Sequence, residues 1–348
     1  MDFIPDPFFV RLRRFVLQYA AACFLCLCVV VFAVIDTSLI SVRNIRNILS
    51  DAAPLLVSAS AMALCLFSGY VDFSAGASAC FASAIASSFM QAPESAGRMF
   101  AFLPPFPAFA VIPFVTVLFF AVGMFNGFLI KRVSLPPWFA TFATGSVLTA
   151  LTHIYLCTKD MQLRVLEGFT RQYTLFGVGY IGVNPTLSIP ISVIFSLFVF
   201  FALRAGIKRF LPEADAPGRS VVQDLKKTMF LFGTVSSLFA LSGMMITARA
   251  GSIASLSAGE FELHTLAVCF TASLSLFGAR GSWAAVAACT FIYSAFMYTA
   301  DFVGINRFVT LAFRTLIPLT MVWIDIVKRK KTANTGNSGM TGANINRL

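Results

Sequence analysis

Residues 69–76, Gly-Tyr-Val-Asp-Phe-Ser-Ala-Gly, separate two long apolar runs that cover 53–67 and 77–90. An acidic side chain, Asp72, lies between two glycines in a stretch whose surroundings have the composition of a membrane interior. In membrane proteins, an ionisable residue and glycines at an interrupted helix mark a working part more often than a lipid-facing surface. We predict a helix break beside a solute pathway, and the residues placed there are Gly69, Asp72, Ser74 and Gly76.

Asp72 also has a purely structural interpretation. An aspartate begins a helix well and is favoured at the positive end of the helix dipole. A helix cap and a pathway residue are compatible roles, and the sequence leaves both open.

The composition is that of a membrane protein. Of the 348 residues, 58% are apolar and 12% are charged, and the mean hydropathy is +0.83. Soluble domains carry roughly 25% charged residues, whereas a bilayer-spanning helix needs about 20 mostly apolar residues. The sequence therefore predicts an all-α, polytopic membrane protein.

About ten transmembrane helices are predicted, at residues 15–35, 52–69, 75–92, 105–130, 137–157, 187–205, 228–248, 264–279, 283–299 and 308–327. With the N-terminus inside, 17 of the 26 Lys and Arg residues fall in inward segments and 8 in outward segments. Cytoplasmic segments are enriched in Lys and Arg, so both termini are predicted to be cytoplasmic. Residues 1–331 form the membrane domain, and 332–348, rich in Gly, Asn, Ser and Thr, form a disordered cytoplasmic tail.

The net charge of +11 does not indicate nucleic-acid binding. The basic residues are spread over short segments between apolar runs, whereas a nucleic-acid-binding domain concentrates them on one face. The cluster at 328–331 is interpreted as an anchor of the last span on anionic lipid headgroups.

No catalytic set or metal site is recognisable in the sequence. It has two histidines, no P-loop and no His-Glu-x-x-His. Most of the eight cysteines lie inside apolar runs and are interpreted as small buried residues. Cys23 and Cys26 have Cys-x-x-Cys spacing, but no second pair or histidine accompanies them. We predict a non-catalytic protein without metal or cofactor.

A faint internal repeat is visible. Ala63-x-Cys65 precedes the first break, and Ala267-x-Cys269 precedes a second glycine-containing stretch that ends at Gly281-Ser282. Paired interrupted helices in two halves of a chain are typical of transport folds whose pathway lies between the repeats. With so few matching positions, chance similarity is the open alternative.

Small residues also recur in the fourth and fifth predicted spans. Gly123, Asn126 and Gly127 have helical spacing, and residues 136–144 read Pro-Pro-Trp-Phe-Ala-Thr-Phe-Ala-Thr. Small and hydroxyl-bearing residues at such intervals let helices approach closely and form hydrogen bonds. Close packing alone accounts for them, and a place on the pathway is the alternative.

Four further ionisable residues lie in or next to apolar runs. Glu262, His264 and Asp301 adjoin span ends and are interpreted as interface residues. Arg314 lies deep in the last span, so we expect it to extend towards the interface or to pair with a carboxylate.

The chain resembles the permease subunits of ribose/galactose/xylose-type ABC importers, over about residues 45–325. Residues 69–76 match the family's Gly-Gly-Ile-Asp-Leu-Ser-Val-Gly. Asn126-Gly127 and 136–144 match its Asn-Gly and Pro-Pro-Phe-Ile-Val-Thr-Leu-Gly-Thr. Residues 258–263 and 275–282, Ala-Gly-Glu-Phe-Glu-Leu and Ser-Leu-Phe-Gly-Ala-Arg-Gly-Ser, match its Ala-Gly-x-x-Glu-Leu and Ser-Leu-Phe-Gly-Gly-x-Gly-Ser.

The resemblance implies a permease of the bacterial inner membrane that imports a monosaccharide by alternating access. The implied partners are a cytoplasmic ABC ATPase, an extracytoplasmic solute-binding protein and a second permease subunit, identical or different. It adds these pathway or break residues to the first set: Asn126, Thr141, Thr144, Gly278 and Gly281. The ATPase would bind the loop 205–227, where the candidate coupling residues are Glu213, Ala214 and Gly218.

The sequence departs from the family in three places. Thr271-Ala272 stands where the family has Gly-Gly before Ser-Leu-Phe. His264 stands where the family has Asp, and only residues 213–218 of the cytoplasmic loop resemble the family pattern. Related permeases for nucleosides or riboflavin carry a different motif at the first break. A nucleoside or riboflavin is nevertheless kept as the alternative to a monosaccharide. A stand-alone secondary carrier is the alternative from another class.

Overall fold

The computed structural model describes residues 16, 18–95, 97–157, 164–182, 188–210, 224–253, 261–275, 281–306, 308–320, 322–324 and 326–327. The described helices are α1 (Ala20–Ile35), α2 (Val42–Phe67), α3 (Ala75–Phe89), α4 (Ala108–Lys131), α5 (Pro137–Leu156), α6 (Arg171–Val178), α7 (Ile191–Phe210), α8 (Leu225–Ala250), α9 (Phe261–Thr271) and α10 (Trp283–Phe302). A further apolar helix, α11, covers Phe308–Ile324. A short 3₁₀ helix, Thr37–Ile40, joins α1 to α2.

In the described part of the chain, six helices are long and apolar enough to cross a membrane: α2, α4, α5, α7, α8 and α10. Four shorter apolar helices accompany them: α1, α3, α9 and α11. Each predicted span coincides with one of these helices, so the all-α polytopic fold is confirmed.

Two boundaries differ clearly from the sequence prediction. Helix α2 begins at Val42, well before residue 52, because Ser41 accepts a hydrogen bond from the Asn44 N–H and caps the helix. Helix α9 ends at Thr271, well short of residue 279. Arg43 and Arg46 lie in the first turns of α2, and Arg43 is exposed there.

Helices α2 and α8 form the centre of the molecule. About four fifths of the residues in their most apolar stretch are buried, against about a third in α4 and α5. Helix α8 packs against α2, α3, α4 and α6. The Ser242 hydroxyl on α8 donates to the Pro54 carbonyl on α2 over 2.7 Å.

Small residues explain why α4 and α8 lie so close together. A Cβ at Gly123 would lie 2.0 Å from the Phe232 carbonyl oxygen, and one at Gly127 would lie 2.6 Å from the Met229 Cα. Only a glycine fits at either point, so the close helix packing predicted for these glycines is confirmed.

Short strands and a small helix cover one end of the bundle. Strand β1 (Leu166–Glu167) pairs antiparallel with β4 (Ser252–Ile253), and β2 (Tyr180–Ile181) pairs antiparallel with β3 (Ile189–Pro190). Helix α6 lies against the end of α8, where the buried Tyr173 hydroxyl donates to the Met244 carbonyl over 3.0 Å. This is the end that the charge distribution predicts to face outward.

We expect Gly123→Ala and Gly127→Ala to lower the thermal stability of the purified protein. The added methyl group must push α4 away from α8, and overpacking of this kind costs about 1–3 kcal/mol. Gly206→Ala in α7 is the matched control, since no atom lies within 4 Å of its added Cβ and Ala favours a helix by about 1 kcal/mol. Unfolding midpoints in detergent check this, and an equal response of all three variants would contradict it.

Candidate functional site

The first break, residues 68–74, begins with a tight helix end. The Ser68 N–H donates to the Leu64 carbonyl over 3.2 Å, and the Tyr70 N–H donates to the Cys65 carbonyl over 2.9 Å. Gly69 has a φ of +77°, a conformation that glycine adopts without a steric cost. These bonds satisfy carbonyls that the end of α2 leaves open.

Asp72 starts the next helix from a fully buried position, with 0% of its surface exposed. Its Oδ1 accepts hydrogen bonds from the Ser74 backbone N–H over 2.8 Å and from the Ser74 hydroxyl over 2.6 Å. A carboxylate at this point complements the open N–H groups and the positive end of α3. Asp72 therefore holds the turn that leads into α3, whose N-cap residue is Ser74, so the predicted cap lies two residues further along the chain. Its place on a pathway stays a prediction.

A second carboxylate reaches the same helix end from α9. The Glu262 Oε1 accepts a hydrogen bond from the Gly76 N–H over 2.8 Å. Glu262, predicted to lie at the membrane interface, instead extends from α9 to the first turn of α3. No local signal could have shown this, because the two residues are far apart in the chain.

Helices α4 and α5 complete the surroundings of the first break. The Thr141 hydroxyl accepts from the Phe73 N–H over 3.1 Å and donates to the Pro137 carbonyl over 3.0 Å. The Thr144 hydroxyl donates to the buried Asn126 Oδ1 over 2.5 Å. Of these predicted residues, Thr141 therefore bonds to the break, while Thr144 and Asn126 bond to each other and join α5 to α4.

The second break follows α9 and repeats the geometry of the first. The Ala272 N–H donates to the Val268 carbonyl over 2.9 Å, and the Leu274 N–H donates to the Cys269 carbonyl over 3.0 Å. Ser273, with a φ of +59°, takes the conformation of Gly69. Cys65 and Cys269, the positions paired in the sequence repeat, accept equivalent bonds, which supports the repeat over chance.

The two breaks lie beside each other. Gly281 has a φ of +121°, and a Cβ there would lie 2.7 Å from Leu274 and 3.3 Å from the Phe67 ring at the end of α2. The Ser282 hydroxyl caps α10 by accepting from the Ala285 N–H over 3.1 Å. The predicted site residues Gly278, Glu213, Ala214 and Gly218 lie outside the described residues.

A cavity of about 690 Å³ lies at the predicted outward end of the bundle; we call it the outer chamber. Its polar lining comes from α2, α8, α9, α10, α11 and the turn after α6, and includes Asn47, Asp51, Tyr180, Arg249, His264, Tyr293, Tyr298, Asp301 and Arg314. The Arg249 Nε donates to the Asp51 Oδ1 over 2.7 Å. The volume falls within the ~300–1,000 Å³ of typical small-ligand sites.

Sequence reasoning found only part of this chamber. It singled out His264, Asp301 and Arg314 because they are ionisable residues near apolar runs. It missed Asn47 and Tyr298, because uncharged polar residues at helix ends carry no distinguishing pattern. Only the packing of the separate helices brings these groups to one cavity.

The chain is similar to curated sugar import permeases over most of its length. It is 23% identical over 309 residues to the galactose/methyl galactoside import permease protein MglC of Escherichia coli (strain K12), covering 85% of this chain and 90% of the relative. It is 25% identical over 314 residues to the ribose import permease protein RbsC of Bacillus subtilis (strain 168), covering 88% and 90%. The fructose import permease protein FrcC of Rhizobium meliloti is 26% identical over 168 residues, 46% of each chain.

No protein-family model matches the chain, and no solved structure matches it. The named relatives confirm the resemblance to sugar ABC importer permeases that the sequence motifs indicated.

We expect Asp72→Ala to destabilise the protein by about 1–2 kcal/mol, because it removes the buried carboxylate that accepts from the Ser74 N–H and hydroxyl. Asp72→Asn keeps an acceptor oxygen for the Ser74 N–H, so its unfolding midpoint should stay closer to that of the parent protein. Thermal unfolding in detergent gives the comparison. If the two variants lost equal stability, the hydrogen bond to Ser74 would not be the source of the effect.

Proposed function

We propose that this chain, a relative of galactose and ribose import permeases, is the membrane-spanning subunit of an ATP-driven importer for a monosaccharide. The observation that carries the proposal is the similarity over 85% of the chain to a galactose import permease. The buried breaks add a physical reason, since interrupted helices that meet inside a membrane bundle are a recurrent feature of transport pathways.

The breaks suit a change between inward-open and outward-open states. Helix α3 is held at its start by Asp72 and by Glu262 from another helix, and each contact is a single hydrogen-bonded carboxylate. Such contacts can re-form after a small tilt, whereas a continuous helix would have to break its internal hydrogen bonds. Alternating access then shifts the population between two packings of α3 and α10 against α2.

The partners follow from the same proposal. A cytoplasmic ATPase binds the loop 205–227, a solute-binding protein delivers sugar on the outward side, and a second permease subunit completes the pathway. Large apolar side chains on α4, such as Phe109, Phe114 and Val117, are more than half exposed. Lipid of the bacterial inner membrane or the second subunit would cover them.

Reconstitution separates this proposal from a stand-alone carrier. Proteoliposomes holding the chain, its ATPase and its binding protein should accumulate sugar with ATP and fail to do so when the ATPase is omitted. Uphill uptake by the chain alone, driven by an ion gradient, would establish a secondary carrier instead. A nucleoside or riboflavin offered in place of the sugar tests the remaining alternative for the solute.

We expect Gly218→Pro to uncouple sugar uptake from ATP hydrolysis, because proline fixes the backbone of the proposed coupling loop. Uptake should fall strongly while the ATPase activity of the assembled complex persists. Gly336→Pro, in the predicted disordered tail, is the control and should leave uptake unchanged. Normal uptake by the Gly218 variant would refute the assignment of the loop.

A further inference from the structure

We infer that the outer chamber is a binding site for an uncharged monosaccharide within a single permease subunit. This inference rests on the proposed import function and assigns the solute site to particular residues. The chamber lies at the predicted outward end of the bundle, where a solute would enter before it reaches the breaks. Four features of its lining point to this class of ligand: charge balance, fixed hydrogen-bonding groups, aromatic rings and the barrier at its inner end.

The charges of the chamber balance. Asp51 and Asp301 contribute two carboxylates, and Arg249 and Arg314 contribute two guanidinium groups. A ligand with a net charge would be attracted by two of these groups and repelled by the other two. Hydroxyl groups, in contrast, can donate to the carboxylates and accept from the guanidinium groups. The chamber therefore favours a neutral polyhydroxylated solute over a phosphorylated or acidic one.

Hydrogen bonds hold the polar groups of the lining in place. The Tyr298 hydroxyl accepts from the Asn47 amide over 3.1 Å and donates to the Asn44 amide oxygen over 2.8 Å. The Tyr293 hydroxyl lies 3.2 Å from the His264 Nδ1. Groups that are already positioned lose little conformational freedom on binding, so the chamber is prepared to form directional bonds with sugar hydroxyls.

Aromatic rings supply the apolar part of the site. Tyr180, at 43% exposure, is held beside the Arg46 guanidinium, 5.4 Å from the ring centre, and Arg46 in turn donates to the Ser188 hydroxyl over 2.6 Å. Phe261 lines the chamber on another side. Rings beside a few convergent polar groups are the usual composition of a small-ligand site.

Phe261 and Ile246 line both the outer chamber and a second cavity of about 40 Å³ that borders α3. These two side chains therefore separate the chamber from the space along α3. Phe261 directly precedes Glu262, which bonds to the first turn of α3. A tilt of α3 at the first break would thus move Phe261, so the barrier is linked mechanically to the hinge.

The test compares D-galactose with D-galacturonate, which share a ring and differ by a carboxylate. Saturation-transfer NMR on the full chain in lipid nanodiscs, without the binding protein, measures the binding of each sugar. The parent protein should bind galactose in preference to galacturonate. Asp301→Asn keeps the side-chain shape but leaves the chamber with one surplus positive charge.

Asp301→Asn should shift the preference towards galacturonate by about fivefold, the equivalent of ~1 kcal/mol for a well-hydrated pair of charges. Glu167→Gln is the matched control: it makes the same charge change at an exposed residue of β1, and the preference should stay that of the parent. Equal shifts in the two variants, or no sugar binding up to the solubility limit, would overturn the assignment.

The reconstitution experiment distinguishes this inference from the proposed function. ATP-driven galactose uptake without binding in the chamber would support the import function and refute the proposed sugar site. Sugar binding that responds to Asp301→Asn, in a protein that never supports ATP-driven uptake, would support the sugar site and refute the import function.

Discussion

An interrupted helix inside hydrocarbon leaves backbone N–H and C=O groups with no water to bond to, and each unsatisfied group costs several kcal/mol. At the first break, side chains supply partners for several of these groups. Asp72 and Glu262 accept from N–H groups at the start of α3, and Thr141 accepts from the Phe73 N–H. Two of these side chains come from other helices, Thr141 from α5 and Glu262 from α9.

The same constraint explains the choice of residues in the central helices. Side chains can satisfy the break only if neighbouring helices come close, and close approach requires glycine, alanine and serine at the crossings. Gly243 on α8 illustrates this, since a Cβ there would lie 2.3 Å from the Ala79 carbonyl oxygen on α3. The outer helices α4, α5 and α7 carry large exposed apolar side chains instead, as expected for surfaces that face lipid or another subunit.

The break and the outer chamber are parts of one arrangement. Helix α9 contributes Phe261 and His264 to the chamber and Glu262 to the start of α3. A solute that binds in the chamber therefore contacts the helix that holds the hinge. A ligand can shift a conformational equilibrium only by binding the two states differently, and α9 is the element through which the proposed site would do so.

The sequence by itself determined the fold class, the approximate spans and the place of the first break, because these depend on local composition and on glycine and aspartate at neighbouring positions. Its motifs also singled out Thr141, which bonds to the Phe73 N–H of the break. Only the tertiary structure decided that Glu262 caps α3, that Ser273 takes the conformation of Gly69, and that Asn47, Asp51, Arg249 and Tyr298 share a cavity. These contacts join residues far apart in the chain, and their geometry depends on how the helices pack rather than on any local pattern.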